Sequence, residues 1–169
     1  MSGAGKSTLG LMLLKELSER SLHAELLDGD EVRQNLSEEL GYDRDGRDRN
    51  VRRIGYVAHM LERAGAASIV AAMSPYRAAR REVRLKVETF IEVFCECPVE
   101  VLKSRDPKRL YARALAGEIR DLSGIDAPYE APDSPEVHLR TDLTNPSECT
   151  ARILSHLEER GILSRTEGP

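Results

Sequence analysis

An α/β domain, with a parallel sheet covered by helices on both faces, is the fold class this sequence predicts, and three observations predict it. A glycine-rich stretch, SGAGKS, runs at residues 2–7 directly into apolar residues at helical spacing. Short apolar runs then alternate with helical stretches along most of the chain. The 169 residues, 40% of them hydrophobic, suffice to bury one substantial core. Alternating strands and helices need crossovers, and right-handed crossovers build a parallel sheet with helices on both sides.

Each element follows in order. Leu9, Met12, Leu13 and Leu17 mark a first helix that begins inside the glycine-rich loop, and AELLDGD reads as a short strand ending in a turn. Next come a helix from Glu31 to about Leu40, a charged loop YDRDGRDRN, and a helix from about Arg47 to Ala64 that carries Ile54, Val57, Ala58 and Leu61 on one face. Gly65 fits its C-terminal stop. ASIVAAMSPY and ETFIEVFCECP read as buried strands halted by Pro75 and Pro98, each followed by a helical stretch. After Arg105 the pattern weakens into a polar segment without a buried strand, over about residues 106–136, which suits a lid. EVHLRTDL supplies a last strand, and Pro146 to about Gly161 a closing helix. One domain over residues 1–169 is expected, with no repeat or low-complexity tract.

The formal net charge of -4, from 25 basic and 29 acidic residues, offers no overall attraction for a nucleic-acid polymer, and 4% aromatics are too few for a base-stacking surface. No membrane span is expected. The odd number of cysteines (three), with Cys95 and Cys97 in an apolar run, reads as reduced thiols, and the four histidines lack ligand spacing, so zinc is not expected. With no signal peptide ahead of the glycine-rich motif, a cytoplasmic address is expected.

The motif has a direct mechanism. Its glycines let backbone N–H groups turn toward a phosphate, the helix N-terminus favours the anion, Lys6 reaches the outer phosphates and Ser7 holds Mg²⁺. The full pattern G-x-x-x-x-G-K-[ST] would place its first glycine just ahead of Met1, and the strand feeding such a loop further upstream. The expectation is therefore an N-terminally truncated chain whose first strand is missing. In LLDGD, Asp28 and Asp30 stand at the carboxyl end of a strand, where ligands bind in open α/β sheets. One can orient or deprotonate an attacking hydroxyl while the other meets Mg²⁺ or its waters, although such a pair by itself also suits a turn with an N-cap. Arg33, Arg47, Arg52 and Arg53, with Asn50 among them, surround the following loop, either as a solvated helix face or as the site of a second anionic substrate. MSPYR ends the next strand on the same edge, where Ser74 could line that pocket or merely belong to a proline-terminated strand.

Taken together, SGAGKSTL, LLDGDEVRQNL, LGY, RDRNVRRIGYVA, SPYR, FIEVF, RDPKRLY, AGEI, SGIDAPYEAP and HLRTDL resemble the adenylylsulfate kinases, through nearly the whole chain. The resemblance implies a P-loop kinase that moves the γ-phosphate of ATP to the 3′-hydroxyl of adenosine 5′-phosphosulfate, with Mg²⁺, in sulfate activation. It implies ATP binding by Ser2, Gly3, Ala4, Gly5, Lys6, Ser7 and Thr8, with Arg105 and Lys108 in a lid that closes over ATP. Lys6 and Asp28 would be catalytic, Asp28 facing the 3′-hydroxyl, and Ser7 and Asp30 would attend the metal. Arg33, Arg47 and Asn50 would hold the phosphosulfate, Tyr42 would stack on the acceptor adenine opposite Leu122, and Met73 and Ser74 would contribute backbone contacts. The sequence departs from the family pattern at Leu122, usually phenylalanine, at Leu115, usually arginine, and at Arg109, usually glycine. A homodimer, and association with or fusion to a sulfate adenylyltransferase, remain open. So do two other readings: another small-molecule kinase of this architecture, and a nucleotide-binding protein that does not catalyse.

Overall fold

The computed structural model describes residues 1–164. The chain opens with α1 (Lys6–Glu19), β1 (Ala24–Asp28), α2 (Gly29–Leu36) and α3 (Arg44–Arg63). It continues through β2 (Ala67–Ala71), α4 (Arg77–Arg84), β3 (Val93–Glu96), α5 (Val99–Arg105) and α6 (Leu110–Leu115). It closes with β4 (Val137–Arg140) and α7 (Pro146–Glu159). The predicted α/β alternation is present, and every strand pairing is parallel. Among the described residues no helix is long and apolar enough to cross a membrane.

The strands form two separate pairs. β1 runs beside β2 from Ala24↔Ala67 to Asp28↔Ala71, and β3 beside β4 from Val93↔Val137 to Glu96↔Arg140. Apolar packing joins the pairs. Leu9 and Leu17 of α1 meet Val137 and Leu139 of β4 and Cys149, Ile153, Leu154 and Leu157 of α7, with Ile69 of β2 and Val93 and Cys95 of β3 against them. Burying such side chains is worth about 1.5–3 kcal/mol each, so two helices suffice to bind both pairs into one body.

Helix boundaries follow their caps. Asp28 accepts from Asp30 N to start α2, Asn145 accepts from Glu148 N to start α7, and Pro146 sits in the first turn where its missing N–H costs nothing. Asp43 accepts from Gly46 N, which starts α3 at Arg44 rather than the expected Arg47. α2 stops at Leu36, short of the expected Leu40, because the backbone turns at buried Ser37, whose carbonyl accepts from Leu40 N. The third strand begins only at Val93: Glu62 takes the amides of Glu88 and Thr89, and Glu136 takes that of Glu92, so carboxylates occupy donors a strand ladder would use. The largest correction concerns the lid. Its polar composition hid a helix, α6, and Tyr111, Leu122 and Ser123 within it are buried.

Candidate active site

The phosphate loop precedes α1. Gly5 caps that helix at φ 85, a left-handed conformation that side-chain-bearing residues resist, which leaves the loop amides at a helix N-terminus where an anion is favoured. Lys6 Nζ donates to Met1 O at 2.7 Å, folded back over the loop, and burial lowers its pKa. Ser7 Oγ donates to Asp28 Oδ2 at 2.6 Å, and Asp28 Oδ1 accepts from Asp30 N at 2.9 Å. Partial burial pushes the Asp28 carboxyl up, but the bonds from Ser7 and the amides of Asp30 and Glu31, with Lys108 nearby, outweigh it and hold Asp28 below its ordinary value. Lys108, from the lid, pairs with Asp30. A residue expected over ATP and one expected at the metal are thus brought together.

Beside the loop lies a cavity of about 450 Å³, lined by Gly3, Gly5, Thr8, Arg105 and the turn from Thr141 to Pro146. Arg105 donates to Thr141 O at 2.8 Å, across the cavity's edge. The volume falls in the range of sites for small ligands and cofactors. Sequence reasoning found Arg105 and missed the Thr141–Pro146 turn. The available signal was its position: TDLTNP follows the carboxyl end of the last strand, on the edge where α/β sheets bind ligands.

A second cluster of side chains gathers around Tyr42, which is exposed. The Arg33 guanidinium lies 4.4 Å from the Tyr42 ring centroid and that of Arg47 5.6 Å. Arg33 donates to the carbonyls of Leu40 and Gly41. Arg47 is buried, donating to Tyr42 O at 2.7 Å and Asp121 O at 2.5 Å, and thereby ties the acceptor loop to the lid segment. Asn50 is buried one turn along α3, with its Oδ1 unpaired among the described residues. Gly29 approaches β2 so closely that a Cβ would stand 2.9 Å from Ala72, which places Met73 and Ser74 beside the Asp28–Asp30 turn. Leu122 is 5% exposed and packs with Tyr111, Leu102, Cys97 and Ala4, so it belongs to the core beside the phosphate loop rather than forming an open face opposite Tyr42. Arg52 and Arg53 do not join this cluster: Arg52 pairs with Glu82, and Arg53 with Glu39 and Leu36 O.

Comparison with known proteins agrees with this geometry. A family model described as adenylylsulphate kinase matches residues 1–140. An adenylyl-sulfate kinase of Synechococcus sp. is 51% identical over 96% of this chain and 93% of its own. A probable bifunctional SAT/APS kinase of Sorangium cellulosum is 55% identical over 98% of this chain, which spans 28% of that longer relative. Among solved structures, an APS kinase of Mycobacterium tuberculosis in complex with AMPPNP and APS superposes with a TM-score of 0.89 at 37% identity, covering 94% of this chain and 93% of the other.

Proposed function

The chain belongs to the adenylylsulphate kinase family, and on that premise we propose that it transfers the γ-phosphate of ATP to the 3′-hydroxyl of adenosine 5′-phosphosulfate. One observation carries the assignment of roles: Asp28 links the phosphate loop, through Ser7, to the start of α2, the helix that brings Arg33 over Tyr42. The reacting groups of two substrates can therefore meet at a single carboxylate.

ATP lays its phosphates on the amides of residues 3–8, and Lys6 leaves the Met1 carbonyl for the outer phosphates. The base and ribose occupy the cavity bounded by Arg105 and the Thr141–Pro146 turn. Ser7 Oγ and the Asp28 and Asp30 carboxylates are hard oxygen donors, which suits Mg²⁺, with Ser7 and Asp30 as the holding residues. When bound, that ion neutralises charge on the phosphate oxygens. Lys108 must give up Asp30 for this to happen, which ties lid position to substrate loading.

Adenosine 5′-phosphosulfate stacks its adenine on Tyr42, with Met73 and Ser74 beneath. Arg33, Arg47 and Asn50 supply the anion contacts. The 3′-oxygen attacks the γ-phosphorus in line, its proton passes to Asp28, and the bond to the β–γ bridging oxygen breaks to leave ADP. Asp28, held below the ordinary carboxylate range, is ionised and a weak base, so it chiefly orients the hydroxyl and receives the proton as the new bond to phosphorus forms. The segment 106–136 acts as the lid. Because one relative is a bifunctional SAT/APS kinase, we extend the proposal to association with a sulfate-adenylylating activity.

An acceptor panel tests the reading. Phosphate transfer from ATP to adenosine 5′-phosphosulfate, and negligible transfer to adenosine 5′-monophosphate or a sugar acid, is expected. Faster turnover of a non-sulfated acceptor makes this a different small-molecule kinase, and ATP binding without transfer to any acceptor makes it a non-catalytic binder.

A further inference from the structure

Tyr111 is the most deeply buried large side chain of the lid segment, 1% exposed. Its hydroxyl donates to the carbonyl of Ser2 at 3.0 Å, a contact spanning 109 residues of chain. Its ring lies among Ala4 of the phosphate loop, Cys97 and Leu102, and Leu122, the chain neighbour of Asp121. The residue is held from its own side as well: Asp106 accepts the amide N–H groups of Tyr111 and Ala112 at 3.1 and 2.9 Å, capping α6 with a carboxylate.

The Ser2 carbonyl belongs to the same planar unit as the Gly3 N–H. In a trans peptide the two point in opposite directions, so anchoring the carbonyl on Tyr111 turns the Gly3 N–H away from it, toward the concave side of the loop. That amide is one of the phosphate-facing donors a glycine-rich loop depends on. A glycine-rich loop resists rotation of its peptide planes weakly, so an outside anchor has leverage there. The anchor also has continuity. Next to Leu122 in sequence, Asp121 offers the carbonyl that receives Arg47, and Arg47 in turn holds Tyr42 O. One run of contacts leads from the ATP loop through Tyr111 to Tyr42.

We propose that Tyr111 is a positioning residue for phosphoryl transfer: its hydroxyl sets the Ser2–Gly3 peptide for ATP, and its ring couples that loop to the Asp121–Leu122 segment that receives Arg47. The proposal rests on the two-substrate reading above only for its second half, because ATP affinity can be measured without any acceptor. Burial raises the phenol to about 12, so the group remains a donor throughout the range in which the enzyme can be assayed.

Tyr111→Phe keeps the ring and removes the bond. Titration calorimetry with a nonhydrolysable ATP analogue, on folded protein well below Tm, should give an affinity weaker by about three- to tenfold, the effect of losing one buried hydrogen bond. Hydrogen exchange at the Gly3 amide should accelerate in the same variant. In steady-state assays the KM for ATP should rise more than kcat falls, and restoring tyrosine restores both. Unchanged analogue affinity overturns the proposal whatever happens to Tm, since a merely structural tyrosine would alter stability alone. If the wild-type chain binds the analogue but never phosphorylates adenosine 5′-phosphosulfate, the functional reading fails while the comparison of affinities still decides the role of Tyr111.

Discussion

The phosphate half and the acceptor half of the site are assembled on different scales of the chain. The phosphate half is nearly contiguous, with Gly5, Lys6 and Ser7 in one helix start and Asp28 21 residues on. The proposed acceptor half is gathered from afar: Arg47 of α3 reaches the Asp121 carbonyl, 74 residues away. The bonding partners differ too. Ser7 meets a carboxylate, whereas Arg33 and Arg47 end on backbone carbonyls. Every residue type carries a carbonyl, so a site built on carbonyls leaves no pattern of residue types behind. Chemistry and architecture are thus divided: substitutions in the first half should strike turnover, and substitutions in the second should strike stability and acceptor binding together.

The sharpest test of that division is Asp28→Asn. Removing the proton acceptor should lower kcat by about 10²–10⁴-fold while ATP affinity changes little. Steady-state rates beside calorimetric titration of an ATP analogue measure both, and an undiminished kcat would take the carboxylate out of the chemistry. Arg47→Ala should behave in the opposite sense. It strands two carbonyls that were paired with a buried guanidinium, at a cost of about 2–4 kcal/mol, read from denaturant midpoints, with a raised acceptor KM and unchanged ATP affinity. Arg47→Lys should not restore the loss, since an ammonium lacks the planar fork that spans both carbonyls. Intact stability in Arg47→Ala would break the comparison.

Acid separates carbonyl-bound from carboxylate-bound arginines. The hydrogen bonds from Arg84 outweigh partial burial and, with backbone amides, bring Glu136 from 4.5 to about 2. A folded-state pKa below the unfolded one means the stabilisation is complete above about 4.5 and disappears as pH falls toward about 2. Glu136→Gln should flatten that part of the stability profile, modestly because the pair is partly solvated. Arg47→Ala should leave the slope as it was, carbonyls having no proton to gain. If instead its slope falls with that of Glu136→Gln, the distinction between the two kinds of arginine fails.

The smallest effect concerns the lid. Arg109 sits at φ 54, a left-handed conformation, at the position where the family pattern usually has glycine. Arg109→Gly should relieve strain of about 1 kcal/mol and raise Tm by roughly 2–4 °C. A lowered Tm would mean that the arginine side chain stabilises the lid by more than its backbone strains it.

Much of this molecule was legible in its residues. Hydrophobic period located α1 and β1, Pro146 marked the start of α7, and Gly65, at φ 81, ended α3 as expected. These are local matters, settled by the few bonds a turn or cap makes with its neighbours. The phosphate loop was legible for the same reason, since a helix start and a short run of residue types mark it, although its anchor on Tyr111 lies 109 residues away. Family likeness added the acceptor residues, but no local rule could say that Arg52 would leave them for Glu82 while Arg47 stayed, a choice made by where α4 packs on α3. Tyr111 was lost in the lid because α6 is only six residues long, too short for its apolar spacing to stand out from the polar stretches on either side. The cavity walled by Thr141–Pro146 exists only because β4 ends beside a loop formed more than a hundred residues earlier. By itself the sequence determined the order and type of the elements and the phosphate chemistry, because those depend on near neighbours and backbone geometry. The tertiary structure alone decided that the sheet stands as two pairs bound by helices, which arginines gather at Tyr42 and how the lid is anchored, because each depends on contacts between distant segments whose formation rests on packing the whole core.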